Sequence, residues 1–420
     1  MTKYLPHFSL IATILALALS ASARAGDSST PVDSLSDEPF GSHRWLNGKH
    51  STTFPFEIFR GDIRYDVTIN GHPVKMLLDD GFMWDPILFW GSPGIDSLGL
   101  TFDGEAEVSG GIGDAEAVPA RTASGITVGF PGVEIIGQEA IITAYDKGGV
   151  SSWWGSEGQL SCTLLKHFVV DINFDRMTMT LTEPDQYEYA GDGTAVPWTP
   201  MGFGPMSIPA TLVLPDGRTV EVPLLMDLGY NDQLQLIPNG EHKIAPPERK
   251  LPASLGFNIQ GTETLGWVGR TPSVTIAGHE IPEVICAFVS KGSSADEYSE
   301  AMVGLGILSK FNLVFDYSRR RLYMKPNGRF GDPYESDMSG LTTRPRRGYR
   351  EIAAIVPGSP ADEAGLKVGE RIVRIDGRPA AEYDIFELKP LLKRPGAEVT
   401  VTVERDGVET DVSLALRRLI

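Results

Sequence analysis

Short runs in which apolar and polar residues alternate dominate most of the chain, and they predict a mainly β protein. Tyr65 to Ile69 alternates with period two, Asn70-Gly71 is a strong hairpin signal, and Val74 to Leu78 returns from that turn. The chain also contains 46 glycines and 30 prolines, a composition typical of turn-rich β proteins. Helical periodicity is confined to short segments.

Two of the predicted strands run directly into an acid and a glycine. The first reads LLDDG over 77–81, and a similar phrase, LLMDLG, returns over 224–229. A carboxylate at the end of a buried strand is costly unless it is paired, hydrogen-bonded or used in chemistry. The glycine permits a sharp turn after each acid. If the two phrases are copies of one unit, Asp79 and Asp227 meet at a pseudo-two-fold axis.

A second pair of matching phrases supports an internal repeat. The sequence LKHFVVDINFD over 165–175 matches SKFNLVFD over 309–316. A repeat that carries one acid-glycine turn per copy is better support than either motif alone. We therefore predict two antiparallel β lobes, over 51–185 and 195–325.

Length and charge narrow the possible functions. The 420 residues suggest two to three domains. The net charge of −18 argues against nucleic acid as a partner, because binding phosphates requires a basic surface. Motifs of zinc peptidases, serine hydrolases and P-loop nucleotide-binding proteins are absent from the sequence. No cofactor and no metal is predicted.

The first 25 residues have the pattern of a cleaved signal peptide. Lys3 precedes an apolar run from Phe8 to Leu19, and Ala23-Arg24-Ala25 fits a cleavage site. The alternative is an uncleaved anchor helix. Since no later stretch is long and apolar enough to span a bilayer, we expect a periplasmic or secreted protein without a stable membrane anchor. Residues 26–50 are polar and are predicted to form a flexible leader.

The two cysteines, Cys162 and Cys286, occupy corresponding late parts of the two lobes. Export permits a disulfide between them, but the sequence does not determine whether they pair. Two buried free thiols are the preferred interpretation.

The segment 326–348 has the composition of a linker. It contains proline, glycine and serine and several arginines, a local exception in an acidic protein. These arginines could dock on a lobe or hold a carboxylate. A solvated linker is the preferred interpretation, because runs of charge are usually solvated.

Residues 349–420 are predicted to form a separate α+β unit. Ser359-Pro360 has the pattern of a helix N-terminus. Arg371 to Ile375 is a strand that leads into the Asp376-Gly377 turn, and Tyr383 to Lys393 is an amphipathic helix.

Two carboxyl groups at one site can hydrolyse a peptide bond without a covalent intermediate. Neither ionises easily beside the other, so one acts as an acid while the other acts as a base on a water between them. Asp79 and Asp227 are the candidates. Two alternatives remain open: both acids are relics in a protein that only binds peptides, or Asp79, Asp80 and Asp227 together hold a hard cation.

The two lobes resemble the pepsin and retropepsin-like aspartic proteases, in which each lobe contributes one Asp-Thr/Ser-Gly-Ala turn. The resemblance implies a two-lobed acid-protease fold with catalytic Asp79 and Asp227. It also implies that residues 303–306, which read VGLG, pack beneath the second catalytic turn.

The supporting turn residues Asp80, Gly81, Leu228 and Gly229 match the family only in part. The family braces the two turns with a Thr or Ser at the positions that Asp80 and Leu228 occupy here. Leucine cannot form a side-chain hydrogen bond, and an ionised Asp80 only accepts. Asp80 is therefore predicted to weaken the site, and its carboxylate is predicted to make ionisation of the pair harder.

The C-terminal unit resembles a bacterial PDZ domain through VPGSPADEAGL at 356–366 and GERIVRIDG at 369–377. The resemblance implies a peptide groove between a loop and a helix. Its predicted lining residues are Ser339, Gly340, Leu341, Ile385 and Leu388. Such a groove adds a peptide as a strand and captures a C-terminal carboxylate.

The strand that leads the PDZ unit is predicted to be poorly formed, because the sequence RPRR at 344–347 interrupts it. The combination of lobes and PDZ unit resembles exported bacterial aspartyl proteases with a C-terminal PDZ domain. We therefore expect an aspartic endopeptidase whose partners are peptides, unfolded proteins and protein C-termini. The alternative is a catalytically degenerate peptide-binding protein of the periplasm.

Overall fold

A computed structural model describes residues 39–420, except for 47, 82–85, 109–116, 144–154, 201–205, 239, 258–262, 290–298 and 406. The predicted signal peptide, residues 1–25, lies outside the described residues.

The first lobe is built of short β-strands and one short α-helix. Its elements are β1 Ser42–Trp45, β2 Ser51–Pro55, β3 Glu57–Phe59, β4 Asp62–Ile69, β5 His72–Leu78, β6 Ile87–Phe89, β7 Phe102–Val108, β8 Val118–Phe130, β9 Val133–Thr143, β10 Gly158–Leu160, α1 Cys162–His167, β11 Val169–Asn173 and β12 Thr178–Thr182. The predicted hairpin of β4 and β5 is confirmed. Asn70 and Gly71 form its two-residue turn with φ of 49° and 83°, conformations that asparagine and glycine tolerate best.

The second lobe repeats this composition. Its elements are β13 Thr194–Pro197, β14 Thr199–Pro200, β15 Met206–Val213, β16 Thr219–Asp227, β17 Leu234–Leu236, β18 Lys250–Phe257, β19 Glu263–Ile276, β20 His279–Phe288, β21 Ala301–Gly304, α2 Leu305–Leu308, β22 Phe311–Asp316 and β23 Arg321–Pro326. Cys286 in β20 is a buried free thiol, as the preferred interpretation predicted for it.

The two lobes share one topology. Strands pair in the order β9-β6-β10-β5-β4-β8-β7 in the first lobe and β20-β17-β21-β16-β15-β19-β18 in the second. The directions agree as well: β10 is parallel to β5 as β21 is to β16, and β6 is parallel to β9 as β17 is to β20. The predicted internal repeat is therefore present in the fold.

A third sheet joins the lobes, in the order β13-β23-β22-β11-β12-β2. At its centre β11 pairs antiparallel with β22, with Val170 opposite Phe315 and Ile172 opposite Leu313. These strands carry the second pair of matching phrases. Antiparallel pairing of neighbouring equivalent strands is what a pseudo-two-fold axis perpendicular to the sheet produces, so this axis passes between β11 and β22. One hydrophobic core extends through both lobes.

The first lobe begins earlier than predicted. Within the segment 26–50, Ser42–Trp45 forms β1 and pairs with β9, so the prediction of a flexible leader is wrong for these residues. Trp45 packs against the core, and its indole N–H donates to Glu183 at 2.6 Å. The partly buried ring with a satisfied N–H helps to hold the segment on the sheet.

The C-terminal unit contains β24 Leu341–Arg346, β25 Tyr349–Ile355, α3 Pro360–Glu363, β26 Arg371–Ile375, β27 Arg378–Pro379, α4 Ile385–Leu391, β28 Glu398–Arg405 and β29 Val408–Ala415. The sheet order is β24-β25-β26-β28-β29, and β27 pairs with β26. Helix α4 is shorter than the predicted 383–393, because a capping box of Asp384 and Glu387 sets its start.

The segment 326–348 is not a linker, and its boundary with the C-terminal unit was predicted too late. Met338 is buried in the core of that unit, and β24 forms the edge of its sheet. The prediction that RPRR at 344–347 interrupts the leading strand is also wrong. Pro345 is tolerated in β24 because an edge strand does not need every N–H for pairing.

The predicted fold class is confirmed: the protein is mainly β, with two lobes of equal topology followed by a small α+β unit.

Candidate active site

The two candidate catalytic acids lie at the ends of corresponding strands. Strand β5 ends one residue before Asp79, and Asp227 is the last residue of β16. The backbone N–H of Asp79 donates to the carbonyl of Leu160 at 3.0 Å, which ties the first turn to β10. Both side chains are 1% exposed. The repeat thus delivers one buried carboxyl group from each lobe.

Each acid packs against the glycine of the opposite turn. A Cβ atom on Gly81 would lie 2.5 Å from Asp227 Oδ1, and one on Gly229 would lie 2.5 Å from Asp79 Cγ. Neither glycine has a positive φ. Glycine is therefore required here for the close approach of the facing carboxyl group, rather than for the turn conformation that the sequence suggested.

The carboxyl group of Asp79 lowers the pKa of Asp227, as a hydrogen-bonding neighbour does. Burial and the negative charge of Asp80 raise the pKa of Asp227 to about 7. Hydrogen bonds to Asp227 oppose this shift, and one of them comes from the N–H of Gly229 at 2.8 Å. Gln159 donates its amide N–H to Asp79 Oδ2 at 2.7 Å. The pair can therefore present one acid and one base near neutral pH.

Asp80 does not weaken the site in the way that the sequence suggested. Its Oδ1 accepts a hydrogen bond from the backbone N–H of Leu228 in the opposite turn at 2.5 Å. Burial raises the pKa of Asp80 to about 6, although this hydrogen bond lowers it. A brace between the turns therefore exists, and the acceptor is a carboxylate rather than a hydroxyl.

The VGLG segment at 303–306 packs beneath the second turn, as the resemblance implied. Gly304 stands opposite Asp227 in the parallel pairing of β21 with β16. The N–H of Leu305 donates to the carbonyl of Tyr230 at 2.6 Å, and a Cβ on Gly304 would lie 2.5 Å from the carbonyl oxygen of Asp232. These contacts fix the backbone that carries Asp227.

Sequence reasoning missed a fourth buried acid at the site, Asp62, which is 1% exposed. With the amide of Asn231 oriented by its hydrogen-bonding partners, its nitrogen donates to Asp62 Oδ1 at 2.7 Å and to the carbonyl of Gly61 at 3.1 Å. Burial raises the pKa of Asp62 well above its ordinary value, and the charge of Asp227 raises it further. Asp62 and Asn231 thus link the first lobe to the turn of the second.

The predicted groove residues of the C-terminal unit lie near one another in its fold. Ser339 and Gly340 are buried in the loop before β24, and Leu341 begins that strand. Leu388 of α4 belongs to the core of the unit. Ile385 is the first residue of α4, and its side chain lies outside the described residues.

Helix α4 also contacts the first lobe. Arg60 donates to Asp384 at 3.2 Å, and its guanidinium carbon lies 5.6 Å from the ring centre of Phe386. Burial lowers the pKa of Lys389, and the charge of Asp232, on the turn that carries Asp227, opposes that shift. The helix therefore contacts the first lobe close to Asp62, and its Lys389 is within the electrostatic influence of the turn that carries Asn231.

Among the described residues, the acidic and histidine side chains do not form a group of three or more that could hold a metal ion. A cation held by Asp79, Asp80 and Asp227 therefore gains no support. Within the same ranges, none of the helices is long and apolar enough to cross a membrane.

Residues 351–405 match the family model of the PDZ domain. The regulator of sigma-E protease RseP of Escherichia coli is 33% identical over 82 residues, which cover 19% of this chain and 18% of that protein. The chain thus spans less than a fifth of the length of this relative.

Two solved structures overlap the lobes. An aspartic proteinase from Irpex lacteus has a TM-score of 0.40 and 13% identity, covering 67% of this chain and 99% of that one. Basic 7S globulin from soybean has a TM-score of 0.39 and 10% identity, covering 66% and 95%. The C-terminal unit is therefore a PDZ domain.

Proposed function

We propose that this protein is an aspartic endopeptidase in which Asp79 and Asp227 activate a water molecule, and that its PDZ domain binds peptide or unfolded-protein segments. The observation that carries the proposal is the reciprocal contact of each buried acid with the glycine of the opposite turn.

The mechanism requires one proton between the two carboxyl groups. The ionised member of the pair takes a proton from the water as it attacks the peptide carbonyl, and the protonated member donates to the carbonyl oxygen. In such a pair neither carboxyl group has a fixed role as acid or base. Gln159 and the N–H of Gly229 orient the two carboxyl groups.

The proposal is tested by digestion of an unbiased peptide library at acid and neutral pH. The wild type should cleave, and Asp79→Asn and Asp227→Asn should each lose at least about 100-fold in rate, because each removes one partner of the acid–base pair. Asp171→Asn, a change to a partly buried acid in the sheet between the lobes, is the matched control and should retain activity. Equal cleavage by all four proteins, or none by the wild type, rejects the mechanism.

A second candidate function is peptide binding without cleavage. It is favoured by Asp80 and Leu228, which stand where aspartic proteases carry a bracing hydroxyl residue. In that case labelled unfolded polypeptide should bind the wild type and Asp227→Asn with equal affinity, and the products of cleavage should be absent.

We also propose export to the periplasm or the cell exterior, supported by the pattern of residues 1–25. Mass spectrometry of the protein from its native host should find a mature chain that begins at Gly26. An intact Met1 in the mature protein would contradict the proposal.

A further inference from the structure

The loop that should capture a peptide carboxylate in this PDZ domain is already occupied by the chain itself. The backbone N–H groups of Ser339 and Gly340 donate to Asp337 Oδ1 at 3.0 and 2.8 Å. The hydroxyl of Ser339 donates to the same oxygen at 2.8 Å. The next N–H, that of Leu341, donates to Ser339 Oγ at 3.0 Å. All three N–H groups of the loop therefore have internal acceptors.

The loop is also held firmly in this conformation. The carbonyl of Gly340 accepts from the N–H of Val356 at 2.9 Å, and that of Ser339 accepts from Ala361 at 3.0 Å. Gly340 has a φ of 74°, a conformation that favours glycine. The N–H groups thus cannot turn towards a second acceptor without breaking contacts with helix α3 and the segment before it.

A carboxylate that entered the loop would compete with the Asp337 side chain for the same donors. Asp337 Oδ1 accepts from the N–H groups of Ser339 and Gly340 and from the hydroxyl of Ser339. Backbone N–H groups arranged in this way form an anion-binding concavity, and Asp337 Oδ1 fills it. A free peptide terminus would have to displace it.

The edge of the sheet beside this loop can bind a ligand that has no terminal carboxylate. Strand β24 stands at the end of the sheet order β24-β25-β26-β28-β29. An extended segment can pair with such an edge through its backbone alone, without a terminal carboxylate. Strand pairing and carboxylate capture are therefore separable here.

We propose that this PDZ domain binds extended internal segments of polypeptide and does not select free C-termini, because Asp337 fills the carboxylate site. The inference rests on the proposed peptide-binding function of the domain and specifies its class of ligand.

The test compares two labelled peptides of about ten residues with the same apolar sequence, one ending in a free carboxylate and the other in an amide. Binding to the full chain is measured by fluorescence anisotropy in the Asp227→Asn background, so that cleavage does not remove the probe. The wild-type loop should bind both peptides with affinities within about threefold. Asp337→Ala frees the N–H groups and should favour the carboxylate by at least about tenfold, because N–H bonds to an ion are strong.

Asp376→Ala is the matched control, because Asp376 accepts a backbone N–H from Thr400 at 2.9 Å in a different turn of the same domain. This variant should not discriminate between the peptides. If Asp337→Ala fails to fold, Asp337→Ser replaces it with the same expectation. A serine hydroxyl can accept hydrogen bonds from only some of the donors that now bind Asp337, so the others become available to the peptide carboxylate.

Two results would overturn the inference: a wild-type loop that already prefers the carboxylate by about tenfold, or position-337 variants that bind both peptides alike. If none of the proteins binds either peptide, the proposed binding function of the PDZ domain fails and the inference with it. Cleavage of the library by Asp79 and Asp227 is measured separately and does not depend on that result.

Discussion

Replacing Gly81 by alanine tests the reciprocal packing of the two turns directly. The added Cβ would lie 2.5 Å from both carboxylate oxygens of Asp227, whereas a relaxed carbon–oxygen contact is about 3.5 Å. The overlap of about 1 Å is with a side chain that is 1% exposed and cannot swing into solvent. Either the Asp227 carboxyl group or the backbone of the first turn must move.

The expected cost is about 1–3 kcal/mol in the free energy of unfolding, the usual penalty for overpacking a buried site. A displacement of about 1 Å should also reduce peptide cleavage by about 100-fold, because the shared water must contact both acids. Gly229→Ala should produce the same two effects through Asp79, since its Cβ would lie 2.5 Å from Asp79 Cγ.

Gly331→Ala is the control, because Gly331 has no positive φ and an added Cβ would meet nothing within 4 Å. Urea denaturation gives the free energy of unfolding, and cleavage of a library-derived peptide gives kcat/KM. If Gly81→Ala is as stable as Gly331→Ala, the close approach of the two turns is refuted, whatever the activity. If it loses stability but cleaves normally, the turns are packed as described and the catalytic role of the pair is refuted.

Three further predictions follow from the same contacts. Gln159→Leu removes the amide that donates to Asp79. The free energy of unfolding, measured by urea denaturation, should fall by about 1–3 kcal/mol. The kcat/KM for peptide cleavage should fall as well. Burial raises the pKa of Asp80 from 3.8 to about 6 and that of Asp227 from 3.8 to about 7. The folded protein therefore favours the protonated form of both acids. The stability that this form contributes is complete below pH 3.8 and is lost as the pH rises through 6 to 7. Denaturation across that range should show the loss, and Asp227→Asn should make it smaller; a flat profile contradicts the burial of these acids. Arg60→Ala breaks the ion pair with Asp384, the N-cap of α4. The free energy of unfolding should fall by less than about 1 kcal/mol because both partners are partly exposed, yet hydrogen exchange in α4 should become faster. Unchanged exchange would show that the contact does not hold the helix.

The lobes and their acid-glycine turns could be predicted because their signals are local and repeated. Period-two alternation and the Asn70-Gly71 turn identify strands and a hairpin without any knowledge of distant contacts. The two acid-glycine phrases then place Asp79 and Asp227 at equivalent strand ends. Each inference needs only a few neighbouring residues and one comparison within the chain.

Gln159 and Asp62 could not be predicted in the same way. Gln159 reaches Asp79 because β10 pairs with β5 in parallel, with Gln159 opposite Leu77. Asp62 becomes part of the site only through Asn231, which belongs to the other lobe. Nothing local distinguishes either residue from an ordinary polar position in a strand, so their roles depend on strand register and on the packing of the lobes.

Asp80 shows how a local rule can mislead at a site that two segments share. An ionised carboxylate cannot donate, so the sequence suggested that a brace was lost. The opposite turn, however, offers a backbone N–H at Leu228, and an acceptor is what that group requires. The charge has a further consequence. Above pH 6 the ionised Asp80 raises the pKa of Asp227, which keeps a proton on Asp227 up to about pH 7. A hydroxyl would brace the turns without this effect, so a carboxylate at position 80 favours a protonated Asp227 at near-neutral pH.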